Sequence, residues 1–526
     1  MLLMAVDVGT RSARAGLFDP LGRLIAAESR AFELRRPLEH HAVYRMEEIW
    51  RAVCEASRAA AVAAAGEPIV ALAFDATSSL AVTADGALPL DGEADVFCWM
   101  DHRGEGEAEE IASLGDLYLD YVGGSLSPEM HLPKLLWLKR NRPAAWVRLT
   151  RARDLCDELA FRATRVDSHS VCGLACKWPY LPGEPSPWRR DLLRRLDIED
   201  VLALGHLTKA PSPVGGVHGP LHPEAAVELG VPAGATVAVS LIDAEAGALG
   251  VLGRGFREAM NRTATLIGGT STSYMTWAAD ERKISGVWGP FKDAVFPGFW
   301  MHESGQSLSG AALDAVLRDH PGGPRSVTAR DHADTAEAIL HLMGERGPEF
   351  GSSRHIVPDW LGNRAPLGDG RARALVCGLG EETTRNAFLE HYFATARALA
   401  LQSRHILDHL NQHGYAIDRC ALAGGHLKNP LFVRLYRDAL GVTALTSESA
   451  EPVLLGTAMV AATAAGIYPD LFAALDAMAS AQTAAPTDPR WRESHASAYR
   501  IYRKLFDVRN EIAREARRAW PSEGTA

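Results

Sequence analysis

The stretch Leu2 to Phe18, LLMAVDVGTRSARAGLF, decides the fold. Leu2 to Val6 is an apolar run of strand length, Gly9 and Thr10 interrupt it, and Ala13 to Phe18 resumes as a second strand, so the spacing predicts a β-hairpin. Asp7 stands between Val6 and Val8 at the mouth of that hairpin. A carboxylate flanked by apolar strand residues is costly to bury unless a cation or several N–H donors face it. The Gly9-Thr10 turn can aim backbone N–H groups at an anion, because glycine tolerates the angles that such a nest requires. A metal-bound phosphate satisfies both demands.

The same pattern recurs past the middle of the chain. Asn261 to Trp277, NRTATLIGGTSTSYMTW, reads as strand, Gly268-Gly269-Thr270-Ser271 turn, strand. Two such hairpins, each opening one half of the sequence, imply two related domains whose Gly-Thr turns face each other across a cleft. Two ordinary hairpins without a ligand are the plain alternative.

With 526 residues and 47% hydrophobic content the chain is too long for one compact domain, and two are expected. A net charge of -10 disfavours nucleic acid or an anionic membrane as partner and leaves small metabolites or proteins. Seven scattered cysteines fit reduced thiols in a cytoplasm. Cys172 and Cys176 lack a second pair at zinc spacing, so no zinc site is expected. The longest apolar stretch, Val453 to Gly466, is shorter than the ~20 residues of a membrane span, and the N-terminus lacks the marks of a leader.

In chain order, Met46 to Ala65 carries apolar residues at helical spacing and ends at Gly66. Val70 to Phe74 is a buried-strand run that delivers Asp75-Ala76-Thr77-Ser78-Ser79, either a ligand cluster at a strand end or a turn satisfying its own backbone. Asp101 and Arg103, beside Trp99, read equally as a surface ion pair. Lys177 stands among Cys176, Trp178 and Tyr180. Val237 to Ile242 ends in Asp243-Ala244-Glu245-Ala246-Gly247, where Asp243 caps a following helix, serves as a general base, or does both. Gly250 to Asn261 is the candidate linker. In the second half, Glu303 to Ser307 leads into a small-residue helix from Gly310, and ALAGGHLKN (Ala421 to Asn429) bares Gly424 and Gly425 before a helix, a place for a phosphate or base or else a tight turn. Ser494 to Arg518 is an amphipathic C-terminal helix.

These pieces together resemble the FGGY carbohydrate kinases of the actin-like ATPase superfamily over nearly the whole chain. The pentulose kinases acting on D-ribulose are the most similar subgroup, through DATSSL (Asp75 to Leu80), WMDHR (Trp99 to Arg103), SPEMHLPKLLWLK (Ser127 to Lys139), CKWPY (Cys176 to Tyr180), GVWGPF (Gly286 to Phe291), HESGQS (His302 to Ser307), GNRAP (Gly362 to Pro366) and AGGHLKN (Ala423 to Asn429). The chain departs from that subgroup at Ser78, usually cysteine, and at Ala365, usually serine.

The resemblance implies an α/β fold of two ribonuclease-H-like domains flanking a central cleft: 1–255 binding sugar, 256–480 binding nucleotide, and 481–526 a helical extension. It implies ATP-dependent phosphorylation of a pentulose, D-ribulose to D-ribulose 5-phosphate, with ribitol, L-ribulose or xylulose as alternative substrates. A sugar-sensing protein that keeps the fold without catalysis is the alternative of another class. By the same resemblance Asp243 is the general base and Asp7 holds Mg²⁺. Thr10, Arg11, Ser12 and Arg14 meet the ATP phosphates, as do Gly269 and Thr270, while Gly310, Gly425 and Asn429 line the nucleotide pocket. Ser78, Ser79, Trp99, Lys177, Asp243 and Glu303 contact the sugar. The implied protein is cytoplasmic, and a homodimer is an assembly open to it.

Overall fold

The computed structural model describes residues 1–86, 89–484 and 486–520. Both expected hairpins form. Strands Leu2–Val8 and Ser12–Phe18 pair antiparallel, as do Thr263–Gly268 and Thr272–Ala278.

Each hairpin nucleates a sheet of the same plan. In the first, Leu24–Ala31 continues the meander on one side, while Ile69–Ala76 and then Thr236–Ala238 add in parallel on the other, and Val217–Pro220 closes the edge antiparallel. In the second, Trp300–Gln306 continues the meander, Arg419–Gly424 and Thr443–Ser447 add in parallel, and Gln482–Ala484 closes antiparallel. The parallel strands are buried on both faces and read as apolar runs, the usual consequence of helices covering both sides. A four-stranded sheet holding Leu80–Ala84 and Leu149–Asp154 is inserted into the first half.

Helices follow the sequence with small shifts. Met46–Ala61 ends through a short 3-10 turn at Gly66, and the long helix Arg385–Gln412 starts where Thr384 caps it through the Ala387 N–H. The segment read as a linker is partly helical: Asp243–Val251 occupies its start and Phe256–Ala259 its middle.

The helix Pro452–Ala464 lies against the first sheet, although the reading of the sequence places it within 256–480. Leu454, Leu455, Ala458 and Met459 share one apolar core with Leu3, Ala5 and Ala73. It crosses Asp243–Val251 at glycines: a Cβ on Gly250 would collide with the Pro452 carbonyl, and one on Gly456 with that of Ala246. No helix among the described residues is long and apolar enough to cross a membrane.

Candidate active site

Parallel pairing sets Asp7 beside Asp75, and Leu241–Ile242 pairs on the far side of Ile69–Ala76 in a register that puts Asp243 just beyond the same strand ends. Neighbouring strands sit about 4.8 Å apart, so the three carboxyls gather at one edge. Asp7 and Asp75 are buried, and Asp243 is partly open. Arg14 donates from Nε (2.7 Å) and Nη2 to Asp7 Oδ2, and from Nη1 to Glu451 at 2.7 Å. Burial works against the Arg14 charge, but Asp7 and Glu451 outweigh it and hold its pKa above the ordinary value.

Asp75 is pushed well above the usual carboxyl range by burial and then by Asp7, with the Thr457 hydroxyl, which donates to its Oδ2, working the other way. Asp243 is raised to about 7, first by burial, then by Asp7, against the Ala244 N–H and Lys177. Asp243 is the first residue of its helix, one place past the capping position held by Ile242, and the Ala244 N–H is the backbone donor that meets its carboxyl.

These residues fit a bound dication. Arg14 takes only Oδ2 of Asp7, Asp75 Oδ1 is buried without a partner, and the carboxylates outnumber the single guanidinium. An all-oxygen, surplus-negative donor set suits a hard cation.

Each Gly-Thr turn is closed by a glycine N–H, but the first has four residues between its last paired positions (9–12) and the second three (269–271). Gly9 N–H donates to Ser12 O at 3.0 Å, and Gly269 N–H to Ser271 O at 2.8 Å. The Gly269 carbonyl accepts from Gly310 N (3.0 Å) and meets His426 Nε2 (2.9 Å), and Ser309 N–H donates to Thr270 O at 2.9 Å. Gly310 opens the helix Gly310–Asp319 against this turn, where a Cβ would stand 2.6 Å from the Gly269 oxygen. Gly424 packs on Gly268, so Gly425 joins the same corner. Thus Gly269, Thr270, Gly310 and Gly425 come together, with Thr10 and Arg14 at the other sheet. Asn429 caps Pro430–Ala439 through Leu431 N–H (3.0 Å), a role that occupies its carbonyl oxygen. Arg11 is exposed at the first hairpin's tip and Ser12 starts the second strand, half-buried.

Lys177 ends the helix Val171–Lys177, buried, its Nζ 4.8 Å from the Trp288 ring centre. Burial would lower its pKa, but Glu303, Glu129 and Glu245 together raise it. Glu303 lies on Trp300–Gln306 opposite Trp288 and accepts from Ser273 Oγ at 3.3 Å. Arg364 pairs with Glu129 at 2.9 Å and stacks 5.1 Å from the same Trp288 ring. Burial would raise the Glu129 carboxyl, yet Arg364 and Lys177 carry it below its ordinary value. Glu245, raised to about 8 by burial and then Glu303, accepts the Cys176 thiol at 3.7 Å while its Oε2 has no partner. Charges of both signs thus gather around the Trp288 indole.

Ser78 and Ser79 both have protein partners. Ser78 Oγ donates to Asp154 at 3.0 Å, an oxygen that also meets His131 Nε2. Ser79 is fully buried, and its hydroxyl bonds Thr77 Oγ1 and the Trp99 N–H, both at 3.0 Å. Short hydroxyls at a buried strand end take the nearest polar partner, and these bonds fix both side chains in place. Trp99 is half-buried, and its Nε1 donates to Thr10 Oγ1 at 3.1 Å, tying its loop to the Gly9-Thr10 turn.

The reading of the sequence assigned no role to Asp75, Glu129, Lys134, Glu245 or Arg364. Asp75 opens the polar run after a buried strand, which was its signal. Glu129 and Arg364 are 235 positions apart, and nothing local announces the pair. Lys134 is fully buried and donates to the carbonyls of Cys98, Trp99 and Glu129, fixing two site residues at once.

The fold matches the structure of a ligand-bound xylulose kinase from Lactobacillus acidophilus at a TM-score of 0.79 over 97% of this chain and 98% of that one, with 19% identity. The sequence models of the FGGY family of carbohydrate kinases match here, the N-terminal domain over residues 2–250 and the C-terminal domain over 264–465. An FGGY carbohydrate kinase domain-containing protein of Homo sapiens is 33% identical over 97% of this chain and 96% of its own length. A D-ribulokinase of Saccharomyces cerevisiae is 29% identical over 88% of this chain and 71% of its own. The two-lobed actin-like ATPase fold and the FGGY family matches together make the chain an ATP-dependent sugar kinase. The chain belongs to the FGGY family of carbohydrate kinases.

Proposed function

We propose that this kinase moves the γ-phosphoryl group of ATP to the terminal hydroxyl of a pentulose, D-ribulose foremost, giving D-ribulose 5-phosphate in the cytoplasm. The observation that carries the chemistry is Asp243: a carboxyl open to the cleft, raised to about 7, standing between the Asp7 edge and the Lys177 and Glu303 pocket. Likeness to a protein named D-ribulokinase supports the choice of sugar.

A sugar hydroxyl attacks phosphorus poorly near neutral pH unless a base within hydrogen-bond reach takes its proton, and a base titrating near the working pH does so best. Asp243 takes that proton. Lys177 and Glu303 orient the other hydroxyls, with Trp288 as the apolar floor and Trp99 fixing the sugar side against Thr10. Thr10, Arg11, Ser12 and Arg14 face the phosphates from 1–255, and Gly269 and Thr270 from 256–480, where Gly310, Gly425 and Asn429 border the nucleotide; 481–526 is an added extension. Asp7 would hold Mg²⁺ through water, and the ion supplies charge neutralisation on the phosphate oxygens. Positioning and exclusion of water do the remainder.

Two measurements test this. Asp243→Asn is expected to lower kcat by about 10²–10⁴-fold while calorimetric affinity for ATP stays within a factor of about three; ordinary turnover would remove Asp243 from the base role. A panel of D-ribulose, L-ribulose, xylulose and ribitol with coupled ADP detection should give the highest kcat/KM for D-ribulose. A higher value for any other member reassigns the substrate.

A further inference from the structure

The helix Arg385–Gln412, the strand His355–Val357 and the C-terminal helix Pro489–Ala519 surround a small pocket whose lining includes none of the active-site residues. Its volume for the centre of a water-sized sphere is about 10 Å³, enough for roughly one such sphere. Arg397 lines it and is 3% exposed. Nη2 donates to the carbonyls of Gly351 (2.8 Å) and Arg354 (2.7 Å), and the guanidinium stacks 5.1 Å from the Phe393 ring centre. Nε and Nη1 donate to no protein atom among the described residues.

The wall is one-sided in charge. Arg354 lines it too, with a buried Nε that has no partner, and His355 adds a third nitrogen-bearing side chain. No carboxylate lines the pocket, and the acids close by are already committed, Glu382 to Arg354 and Asp359 to Arg509. A guanidinium stays protonated in a protein, so it cannot escape burial by losing its charge. A buried cation without a counter-charge is strongly unfavourable, and a charge of opposite sign in the pocket removes the penalty.

We infer that this pocket binds a small monovalent inorganic anion of halide size, held by the free Nε and Nη1 of Arg397, and that the anion fastens the C-terminal helix to the second sheet's helices. Room for about one water-sized sphere favours an ion of that size over a larger oxyanion. The wall on the helix side, Ala498 and Tyr502, places the C-terminal extension directly over the anion.

Crystals of the full chain soaked in bromide, measured at the bromine edge, should show an anomalous peak within hydrogen-bond reach of Arg397 Nε and Nη1. Thermal melts in potassium chloride against potassium glutamate at equal ionic strength should show a saturable rise in Tm of about 1–3 °C with chloride. Arg397→Met, which keeps the bulk and removes the charge, should abolish that difference. No peak at Arg397 in the wild-type crystal overturns the inference whether or not the variant folds, since water alone then fills the pocket; an equal chloride effect in a folded Arg397→Met variant overturns it too.

Discussion

Asp243 and Glu245 stand two residues apart on one helix, the first partly open and the second buried, and their surroundings give them different work. Asp243 lies open to the cleft at about 7, so a base at that position is half-ionised near neutrality. Its carboxylate must be free to accept a proton, hence kcat/KM should fall tenfold per unit as pH drops below about 7 and level off above it. A pH profile of kcat/KM checks this, and a profile flat from 5 to 9 contradicts it. Glu245 is raised to about 8 with an unpartnered Oε2, so it is protonated in the fold where an unfolded chain is already ionised. Its contribution to stability is complete below the unfolded value near ~4.3 and declines as pH rises toward 8. Glu245→Gln cannot lose that proton, so in a melting series the variant's Tm should gain on the wild type as pH rises from about 5 to about 8 and level off above that. Asp7 and Asp243 were legible because each interrupts an apolar strand run with a charge. The partners that tune them were not, since burial and facing charge are properties of the folded chain.

Close backbone approach governs the elements that hold the nucleotide side. The turn at Gly269 and the start of Gly310–Asp319 touch carbonyl to backbone, with no space for a side chain at 310. Gly310→Ala should therefore displace the turn and raise KM for ATP by about tenfold, a loss of roughly 1.4 kcal/mol in phosphate positioning, while KM for the sugar changes little. Initial-rate kinetics with each substrate varied separates the two; equal changes in both constants would point to general unfolding. At this scale the sequence speaks clearly for hairpins, because strand-length apolar runs broken by Gly-Thr have one reading. It is silent on Ser78 and Ser79: a hydroxyl after a buried strand can face a cleft or brace the layer below, and the choice depends on Asp154 and Trp99, brought in from distant segments. Asp243 shows the same limit, since the cap and the base readings differ only in whether a side chain turns toward its own helix.

Across the whole molecule, the repeated plan of two sheets was visible as two copies of one hairpin, but the return of Pro452–Ala464 to the first sheet was not. That helix is apolar on every side, so its sequence says that it is buried without saying on which sheet. Its consequences reach the site: Thr457 donates to Asp75, and Glu451, just before the helix, holds Arg14. Residues 451–457 thus complete a carboxylate cluster begun at residue 7, and the two halves are joined by more than a linker. Residues 1–255 expressed alone would leave Leu3, Ala5 and Ala73 uncovered where Leu454, Leu455 and Met459 pack. Leaving a sheet face of this kind in water removes the burial that offsets chain entropy. The isolated 1–255 piece should therefore show no cooperative calorimetric transition and rapid proteolysis. The same piece joined by a flexible linker to 448–480 should regain one, and the full chain should melt with both sheets lost together. A cooperative transition for 1–255 alone, at the Tm of the full chain, would show that the returning helix covers the first sheet without being needed to hold it.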